Sequence, residues 1–407
     1  MRILQVAPVP RDVGGINTGG IPTHVWGLAT HLAARGHDVA VAADNRPASA
    51  GEAVVEGVRL YGVHEYLLGA GAARLASPRL AAAFLRARRV LGPVWSVGWI
   101  ARALLGYDEA IREFRPEMIH VHALEGRFSL LHELADGIPL VATAHSTHYF
   151  EHAAPEHAAT RRALVERNLE SAADVVFVSE YLRRRYEEIF PTRMPHIRSS
   201  VIPNPIDASL YSPLDRTEAR TRLGASADRE VLLFAGNLIP RKAPLAFVEA
   251  VAALRDAGRP VLGIMVGEGE EQAAVRNAIA SHGLQGVVRL DGFRAQAEMA
   301  AYYSAADVFV FPSLMESFGL VALEAMLCGC PVVGTPEVLP EVVPDGSGIC
   351  VPSFELSDLA SALAEALDRT WDRAAIRERV LCSDWALRIA DYERLYASLA
   401  TDGAGEA

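Results

Sequence analysis

The sequence predicts an α/β protein of two domains, each built on a doubly wound parallel sheet. The chain has 407 residues, which is more than a single hydrophobic core commonly serves. It opens with a buried strand (Met1 to Ala7), a glycine-rich loop, an amphipathic helix (about His24 to Arg35) and a second strand (Asp38 to Ala42). This order is a βαβ unit, which builds a parallel sheet. Another buried strand with a basic turn, Glu230 to Pro244, opens the second domain.

Composition excludes several classes of function. The net charge is −11, which argues against a general nucleic-acid binder. The four cysteines show neither metal-ligand spacing nor a secreted disulfide framework. The first apolar run, Ile3 to Val9, is too short for a signal peptide, and no apolar run is long enough to span a bilayer. We therefore expect a cytoplasmic enzyme.

The most informative stretch runs from Phe311 to Thr335. A buried strand ends at Pro312, and an apolar helix is predicted from Phe318 to Leu327. Glu316 and Glu324 stand eight positions apart, which is about 800° of helical rotation, so they would face nearly the same way. Because open α/β sheets bind ligands at the carboxyl ends of their strands, both carboxylates are expected to line one crevice.

The start of that helix is a second candidate binding element. The first N–H groups of a helix have no intrahelical partner, and here they would belong to Phe318, Gly319, Leu320 and Val321. Gly319 allows a ligand to approach the backbone closely. Such amides bind phosphate, whereas carboxylates bind hydroxyl groups. The combination predicts a site for a sugar phosphate; the alternative is an ordinary strand–helix unit with two solvent-facing glutamates.

A single lysine stands out in the composition. The chain has 38 arginines and one lysine, Lys242. Lysine is a compact point charge, whereas arginine is a broad planar fork. Lys242 is therefore expected in a tight pocket against a phosphate oxygen, where arginine would not serve; the alternative is chance.

The segment ESFGLVALEA, Glu316 to Ala325, resembles the E-x7-E signature of retaining glycosyltransferases of family 4, the glycosyl transferases group 1. Four further segments resemble the same family, in the same order along the chain. They are TGGIPTH (Thr18 to His24), ATAHSTHYF (Ala142 to Phe150), SVIPNPID (Ser200 to Asp207) and GNLIPRKAP (Gly236 to Pro244). The resemblance implies the GT-B fold, in which two Rossmann-like domains face each other across a cleft.

The resemblance also implies the domain limits. An acceptor-side domain is expected over residues 1–205 and a donor-binding domain over residues 206–384. A helix at about 385–400 is expected to cross back to the first domain, and residues 401–407 to form a disordered tail. Pro205 stands where the family has a glycine, which argues against a flexible hinge at that point.

The resemblance further implies which residues bind a nucleotide-sugar donor. His145 would hydrogen-bond the sugar near the reacting carbon, Glu316 would bind sugar hydroxyls, and Glu324 the ribose hydroxyls. Lys242 would neutralise the leaving diphosphate. We therefore expect His145, Glu316 and Lys242 to be catalytic. The wider donor-binding set is Gly19, Gly20, Asn237, Arg241, Lys242, Gly292, Arg294, Glu316, Phe318, Gly319, Leu320, Val321 and Glu324.

The diphosphate clamp departs from the family's pattern. Asn237 stands where an arginine is expected, and Ala243 where a glycine is expected. Arg241, next to Lys242, is a candidate for the missing charge; the alternatives are weaker binding of the diphosphate and a different donor.

Some of the other donor-side residues have alternative interpretations. Gly20, and less closely Gly19, match the loop glycines that approach the diphosphate, but a glycine turn can serve packing alone. Gly292 and Arg294 lie where the family holds the nucleobase. Arg294 would stack on the base or reach phosphate, or else be a surface arginine.

We expect no metal and no cofactor beyond the co-substrate, a UDP- or GDP-sugar. The chain contains no D-x-D motif, as in metal-independent GT-B enzymes. The spacing of His145, His148, His152 and His157 invites a zinc interpretation. The segment is not predicted to form a regular helix that would present an i, i+4 pair of ligands, and no cysteine is near, so we predict no metal site there.

Residues 66–107 form a basic and apolar segment in an acidic protein. The segment contains no acidic residue and six arginines: Arg74, Arg79, Arg86, Arg88, Arg89 and Arg102. It could contact the inner face of a membrane peripherally, or bind a lipid-linked or anionic acceptor. The alternative is a helical pair that covers the sheet with its arginines in solvent.

The implied reaction transfers a sugar from a nucleotide-diphosphate sugar to an acceptor hydroxyl, with retention at the anomeric carbon. A sugar phosphorylase or a sugar-nucleotide epimerase would be alternatives on the same fold. Two candidates come from other classes. One is a non-catalytic sugar-nucleotide-binding protein. The other is an NAD-dependent oxidoreductase, but the sequence lacks the glycine fingerprint loop of that class. The acceptor could be a small metabolite, a lipid-linked molecule or a saccharide. The alanine- and arginine-rich composition suggests a bacterial source.

Overall fold

The structure, a computed structural model, describes residues 1–15, 20–47, 52–64, 74–92, 95–335 and 339–404. The chain divides into two compact units. Unit 1 comprises Met1–Asn204 with Trp385–Ala407, and unit 2 comprises Pro205–Asp384. The division falls after Asn204, one residue before the limit implied by the resemblance.

Unit 1 contains a largely parallel sheet. Within the described residues its strands are β1 (Arg2–Val6), β2 (Asp38–Pro47), β3 (Ala53–Val55), β4 (Val58–His64), β5 (Met118–Val121), β6 (Leu140–Ala144), β7 (Asp174–Phe177) and β8 (Ser199–Val201). The spatial order is β3-β4-β2-β1-β5-β6-β7-β8, and only the β3–β4 pair is antiparallel. Because the central strands are parallel, their carboxyl ends meet at one edge of the sheet.

Helices connect these strands. They are α1 (Gly20–Ala34), α2 (Pro78–Leu91), α3 (Val97–Phe114), α4 (Gly126–His132), α5 (His148–Glu151), α6 (Pro155–Ser171) and α7 (Glu180–Ile189). Serine side chains cap three of them: Ser77, Ser96 and Ser179 accept the first free N–H groups of α2, α3 and α7. Helix α1 begins at Gly20, four residues before the predicted start.

Unit 2 contains a fully parallel sheet. Its described strands are β9 (Glu230–Ala235), β10 (Val261–Val266), β11 (Val288–Gly292), β12 (Val308–Phe311), β13 (Val332–Gly334) and β14 (Gly348–Cys350), in the spatial order β11-β10-β9-β12-β13-β14. The helices are α8 (Arg216–Leu223), α9 (Pro244–Asp256), α10 (Gln272–Ser281), α11 (Gln296–Ala305), α12 (Leu320–Leu327), α13 (Leu339–Val342), α14 (Leu356–Asp368) and α15 (Arg373–Val380). Apolar strand residues such as Leu232 and Val310 pack with Phe247 of α9 in a buried core.

The last helix, α16 (Trp385–Ala404), returns to unit 1. Its Trp385, Tyr392 and Tyr396 are buried in the core of that unit with Val25 of α1. The indole of Trp385 lies so close to α1 that a Cβ at Gly27 would stand 2.7 Å from it. Helical geometry extends through residue 404, so residues 401–404 are not the disordered tail we expected; the Thr401 hydroxyl donates to the Ser398 carbonyl at 2.8 Å within the helix. Residues 405–407 lie outside the described part of the chain.

Across the ranges that the structure describes, no helix combines the length and the apolar character needed to cross a membrane.

Candidate functional site

The lone lysine lies on a short 3-10 turn, Pro240–Lys242, that follows β9. The Lys242 N–H donates to the Ile239 carbonyl at 2.9 Å, which closes the turn. The Leu314 N–H donates to the Arg241 carbonyl at 2.8 Å, which ties the turn to the segment after β12. These two backbone bonds place Lys242 beside Glu316, although 74 residues separate them in sequence.

Glu316 lies between two cations. The Lys242 Nζ donates to Glu316 Oε1, and the Arg241 Nη1 lies 3.7 Å from the same oxygen. The Lys242 and Glu316 side chains are only 14% and 13% exposed, whereas Arg241 is 43% exposed. The Lys242 Nζ also lies 5.4 Å from the centre of the Phe311 ring. The three charged groups sum to one positive charge in a confined space, which suits an anionic ligand.

Glu324 lies in the second turn of α12 among tyrosines. The Tyr303 hydroxyl donates to Glu324 Oε2 at 2.7 Å, and the Tyr211 hydroxyl also bonds to this carboxylate. Burial raises the pKa of the Glu324 carboxyl, and the two tyrosine hydrogen bonds and the Lys242 charge offset part of that rise. Lys242 therefore acts electrostatically on both glutamates of the E-x7-E segment.

The helix that carries Glu324 begins later than predicted. It starts at Leu320, because Gly319 has a φ of 91° and ends the preceding turn. The Ala322 N–H donates to the Gly319 carbonyl at 2.9 Å. Phe318 thus lies outside the helix with its ring buried, and Leu320 and Val321 supply the first two N–H groups of the helix.

The clamp position Asn237 and the predicted base-side residues Gly292 and Arg294 lie at the ends of β9 and β11, the strands on either side of β10. Asn237 is exposed after β9. Gly292 ends β11, and its carbonyl accepts the N–H of Gly267 at 2.9 Å. The Arg294 Nε donates to the Tyr302 hydroxyl at 2.9 Å, and its Nη1 to the Phe293 carbonyl at 2.9 Å. Arg294 is therefore held against its own unit rather than extended into solvent.

The glycine loop of unit 1 is described only in part. Gly19 lies outside the described residues, and Gly20 is the exposed first residue of α1. Gly15 serves packing, because a Cβ there would stand 1.9 Å from the Val9 carbonyl oxygen. Asn45 of β2 fixes the Val9 backbone, since its side chain bonds both the N–H and the carbonyl of Val9 at 2.8 Å.

His145 follows β6 and belongs to a cluster of histidines in unit 1. Its Nε2 lies 3.2 Å from the Nδ1 of His122, which follows β5. His24 of α1 packs edge-on against His145, with 5.2 Å between the ring centres. Burial lowers the pKa of His145 to about 4. Burial, with the neighbouring histidines, also lowers the pKa values of His24 and His122, so the cluster is neutral near pH 7.

The hydrogen bonds assign the proton positions in this cluster. The Gln5 Oε1 can only accept, so His122 donates to it from Nε2, at 2.7 Å. Neutral His122 must then accept at Nδ1, and His145 donates to it from Nε2. The Nδ1 of His145 is left without a proton, as a hydrogen-bond acceptor. A neutral acceptor of this kind suits a sugar hydroxyl rather than a phosphate.

The network extends to the last helix. The Gln5 Nε2 donates to the Tyr396 hydroxyl at 3.4 Å, which orients the Gln5 amide. The same hydroxyl lies 2.7 Å from the Nδ1 of His120, whose Nε2 lies 2.7 Å from the Thr143 hydroxyl. Tyr396 therefore supports the residue that orients His145.

Among the residues the structure describes, one group could hold a metal ion: ring nitrogens of His24, His122 and His145 lie within 4.8 Å of one another. The His122–His145 hydrogen bond already uses one nitrogen of each ring, which accounts for their approach without an ion. The four histidines that we considered as a zinc site from sequence do not form one group in the described contacts. The ring of His148 stacks on that of His152, with 4.9 Å between ring centres, whereas His145 contacts His122. Sequence reasoning missed His24 and His122, although His120 and His122 share one face of a strand.

Most arginines of the basic segment are engaged. Arg74 donates to Asp108 at 2.5 Å and to Glu109 at 2.7 Å, and Arg79 lies 3.3 Å from Asp108. Arg86 donates to Glu133 at 2.5 Å, and Arg88 to the Gly92 carbonyl. These contacts consume much of the positive charge that suggested a membrane surface.

Comparison with known families identifies the class. Residues 18–210 match the family described as Glycosyltransferase Family 4, and residues 215–380 match the family described as Glycosyl transferases group 1. A D-inositol 3-phosphate glycosyltransferase from Kineococcus radiotolerans is 32% identical over 392 residues, covering 89% of this chain and 86% of the relative. The chain therefore belongs to the group 1, family 4 glycosyltransferases.

Other relatives match over a shorter length. A D-inositol 3-phosphate glycosyltransferase from Saccharomonospora viridis is 35% identical over 284 residues, covering 64% of this chain and 64% of the relative. That from Thermobispora bispora is 35% identical over 273 residues, covering 62% of this chain and 63% of the relative. For both, the match spans slightly less than two thirds of the relative's length.

Solved structures share the fold. Sucrose-phosphate synthase from Thermosynechococcus elongatus has a TM-score of 0.78 and 22% identity, covering 99% of this chain and 100% of that one. Anabaena HepE in complex with UDP and glucose has a TM-score of 0.72 and 20% identity, covering 97% and 99%. The two parallel α/β units are thus of the GT-B type.

Proposed function

We propose that this protein is a retaining, metal-independent glycosyltransferase that moves a sugar from a nucleotide-diphosphate sugar to an acceptor hydroxyl. The observation that carries the proposal is the Lys242–Glu316–Arg241 cluster beside the start of α12. It combines a confined positive charge for a diphosphate with carboxylates that accept hydrogen bonds from sugar hydroxyls.

In the proposed reaction, the bond between the anomeric carbon and the diphosphate oxygen breaks. A bond from the acceptor oxygen to that carbon forms on the same face, and the acceptor's proton passes to the leaving phosphate oxygen. Lys242, with Arg241, stabilises the negative charge that develops on the diphosphate. Electrostatic stabilisation of a leaving group by one such residue is commonly worth about 10²–10³ in rate.

The carboxylates and His145 orient the donor in this proposal. Glu316 binds sugar hydroxyls, and Glu324, held by Tyr303 and Tyr211, binds the ribose hydroxyls. His145 hydrogen-bonds the sugar near the reacting carbon through its unprotonated Nδ1, because its Nε2 is engaged by His122. Arg241 supplies the charge that Asn237 lacks.

The donor is proposed to be a UDP- or GDP-sugar. HepE, which shares the fold, was solved with UDP and glucose, and this makes UDP-glucose a reasonable first donor to test. We also propose that no metal takes part, since the positive charges near Glu316 come from side chains.

The test is a hydrolysis and transfer screen over UDP-, GDP-, ADP- and dTDP-sugars, with and without EDTA, followed by NMR of the product's anomeric configuration. We expect one or more donors to be consumed, equally with EDTA, and the product to keep the donor's configuration. Loss of activity in EDTA would exclude the metal-free mechanism, and an inverted product would exclude retention. Transfer to inorganic phosphate, or a new sugar formed from UDP-sugar alone, would instead identify a phosphorylase or an epimerase.

We propose a cytoplasmic enzyme whose acceptor binds unit 1. Four arginines of residues 66–107 are held by carboxylates or a carbonyl, which leaves this segment little free positive charge to attract an anionic membrane surface. Co-sedimentation with vesicles of anionic lipid is expected to be weak at physiological salt.

A further inference from the structure

Three histidines of unit 1 bring ring nitrogens close together. One nitrogen each of His24, His122 and His145 lies within 4.8 Å of the other two. His122 and His145 follow the paired strands β5 and β6, and His24 belongs to α1. The three rings therefore approach one point from three different elements. Three imidazoles in such an arrangement are a ligand set that zinc sites in proteins use.

The separation of the nitrogens suits a tetrahedral ion. With metal–nitrogen bonds of about 2.0–2.1 Å, two ligand nitrogens of a tetrahedral zinc site stand about 3.3 Å apart. The Nδ1 of His122 and the Nε2 of His145 are 3.2 Å apart. The nitrogen of His24 would have to move inward by about 1.5 Å or less, because it lies within 4.8 Å of the other two. An ion between His122 and His145 would take the place of the proton that now bridges them.

Gln5 already sets the tautomer that a metal ligand needs. His122 donates from Nε2 to the Gln5 Oε1 at 2.7 Å, so its Nδ1 carries the lone pair. A hydrogen bond from the second nitrogen of a ligating imidazole to a fixed acceptor is usual at metal sites. Tyr396 holds the Gln5 amide in turn. The three imidazoles are also neutral near pH 7, which is the form that binds a metal ion.

A cavity gives an ion access to this cluster. The cavity has a volume of about 100 Å³, and His122 and His145 both line it, together with Glu125. His145 is the partly exposed member of the cluster, whereas His24 and His122 are buried. An ion can therefore enter from the side of His145. The cavity also has room for a water molecule as the fourth ligand, since about 10–15 Å³ of such volume is enough for one.

We propose that His24, His122 and His145 form a binding site for a divalent transition-metal ion of the zinc type, and that this ion inhibits the protein. Imidazole ligands suit Zn²⁺, Ni²⁺ and Cu²⁺, whereas Mg²⁺ and Ca²⁺ prefer oxygen ligands. The ion takes no part in sugar transfer.

The inhibition follows from the proton of His145. Ligation through Nε2 moves that proton to Nδ1, so the ring stays neutral and releases no net proton. The Nδ1 that we propose accepts a sugar hydroxyl would then be a donor, and the ion would stand beside it. The inhibitory effect therefore rests on the proposed function, but the binding of the ion does not.

Binding is tested with the full chain, treated with EDTA and then dialysed, by competition with a chromophoric chelator for Zn²⁺. We expect one tightly bound Zn²⁺ per chain, and Co²⁺ should give the intense visible absorption of a four-coordinate site. His24→Phe and His145→Asn each remove one ligand and should weaken Zn²⁺ binding more than about 100-fold. Gln5→Leu removes only the group that orients His122, and it should weaken binding about 10- to 100-fold.

The matched control is the double variant His148→Gln with His152→Gln. These two rings also lie close together in unit 1, with 4.9 Å between ring centres, but outside the proposed ligand set. The control should keep the Zn²⁺ affinity of the unaltered protein. Zn²⁺ should also raise the melting temperature of the unaltered protein and of the control, but not that of His145→Asn, which changes a partly exposed position.

Two binding results would overturn the proposal. One is an unaltered protein that does not bind Zn²⁺ in the competition assay. The other is undiminished binding in both His24→Phe and His145→Asn, which would assign the ion to histidines elsewhere on the surface.

Inhibition is measured separately, as consumption of the donor at increasing Zn²⁺ concentration. Half-inhibition should occur near the Kd of Zn²⁺, excess EDTA should restore the rate, and Mg²⁺ should have no effect. Zn²⁺ that binds the three histidines without slowing the reaction would overturn the inhibitory role. A protein that consumes no donor even without Zn²⁺ would contradict the proposed function alone, so the two failures are distinguishable.

Discussion

Replacing Lys242 with arginine keeps the charge and tests the shape of its pocket. The Lys242 side chain is 14% exposed, bonds Glu316, and has its Nζ 5.4 Å from the Phe311 ring centre. A guanidinium is longer and broader than an ammonium. The backbone of the Pro240–Lys242 turn cannot easily shift to make room, because the Lys242 N–H and the Arg241 carbonyl are both hydrogen-bonded.

The expected magnitude follows from that confinement. Forcing the larger group into the pocket costs about 1–3 kcal/mol, as overpacking does elsewhere. If the group instead leaves the pocket, its contact with the diphosphate weakens. At about 1.36 kcal/mol for each factor of ten, the upper part of this range corresponds to a loss of about 10- to 150-fold in kcat/KM for the donor, which we expect mainly as a lower turnover. Lys242→Met, which removes the charge, should lose about 10²–10³.

The assay is steady-state release of the nucleoside diphosphate from the donor identified in the screen. Arg222→Lys is the matched control, because Arg222 lies on α8 with 59% of its side chain exposed and only a surface pair to Glu218. Its rate should match that of the unaltered protein. Near-normal kcat/KM in Lys242→Arg would refute the reasoning that this site requires lysine.

Three further outcomes are expected. The loss of UDP affinity on acidification, measured by calorimetry, should begin at a higher pH than an ordinary carboxyl would give, because burial raises the pKa of Glu324. Glu324→Gln should bind weakly at every pH and show only the pH dependence of UDP itself. A profile with the same shape in the unaltered protein as in Glu324→Gln would contradict the ribose role. His122→Phe removes the acceptor of the His145 Nε2 proton. It should lower kcat about two- to tenfold and leave the KM for the donor within twofold of its normal value. An unchanged kcat would count against the proposal that His122 orients His145. Tyr396→Phe breaks the bonds to Gln5 and His120 and should lower the melting temperature by a few degrees, which unfolding followed by circular dichroism would show or deny.

The architecture was predictable because it depends on local patterns. Buried strands, glycine loops and amphipathic helices alternate along the chain, and this predicted two parallel α/β units of the kind observed. The resemblance pointed to Lys242 and Glu316 together, and the structure places them in contact. The residue-level roles of that site remain predictions that the variants above test.

What the sequence did not reveal depends on packing between distant segments. His24 meets His122 and His145 only because α1 lies on the sheet beside the ends of β5 and β6. The basic segment was judged by its own composition, yet Asp108 and Glu109, which pair with Arg74, begin one residue after its end at 107. Counting charges within residues 66–107 alone therefore omitted the acidic residues that pair with this segment.

The return of α16 to unit 1 has a consequence for how the protein is made. Tyr396 bonds Gln5 across 391 positions, and Trp385 fills the space left by Gly27. During synthesis, the whole of unit 2 is translated before these residues are made. The first part of unit 1 therefore keeps an open core, and Gln5 lacks its bond to Tyr396, until α16 has been made. The completion of unit 1, and the orientation of His145, thus depend on a helix that is separated from the rest of its unit by a whole second unit.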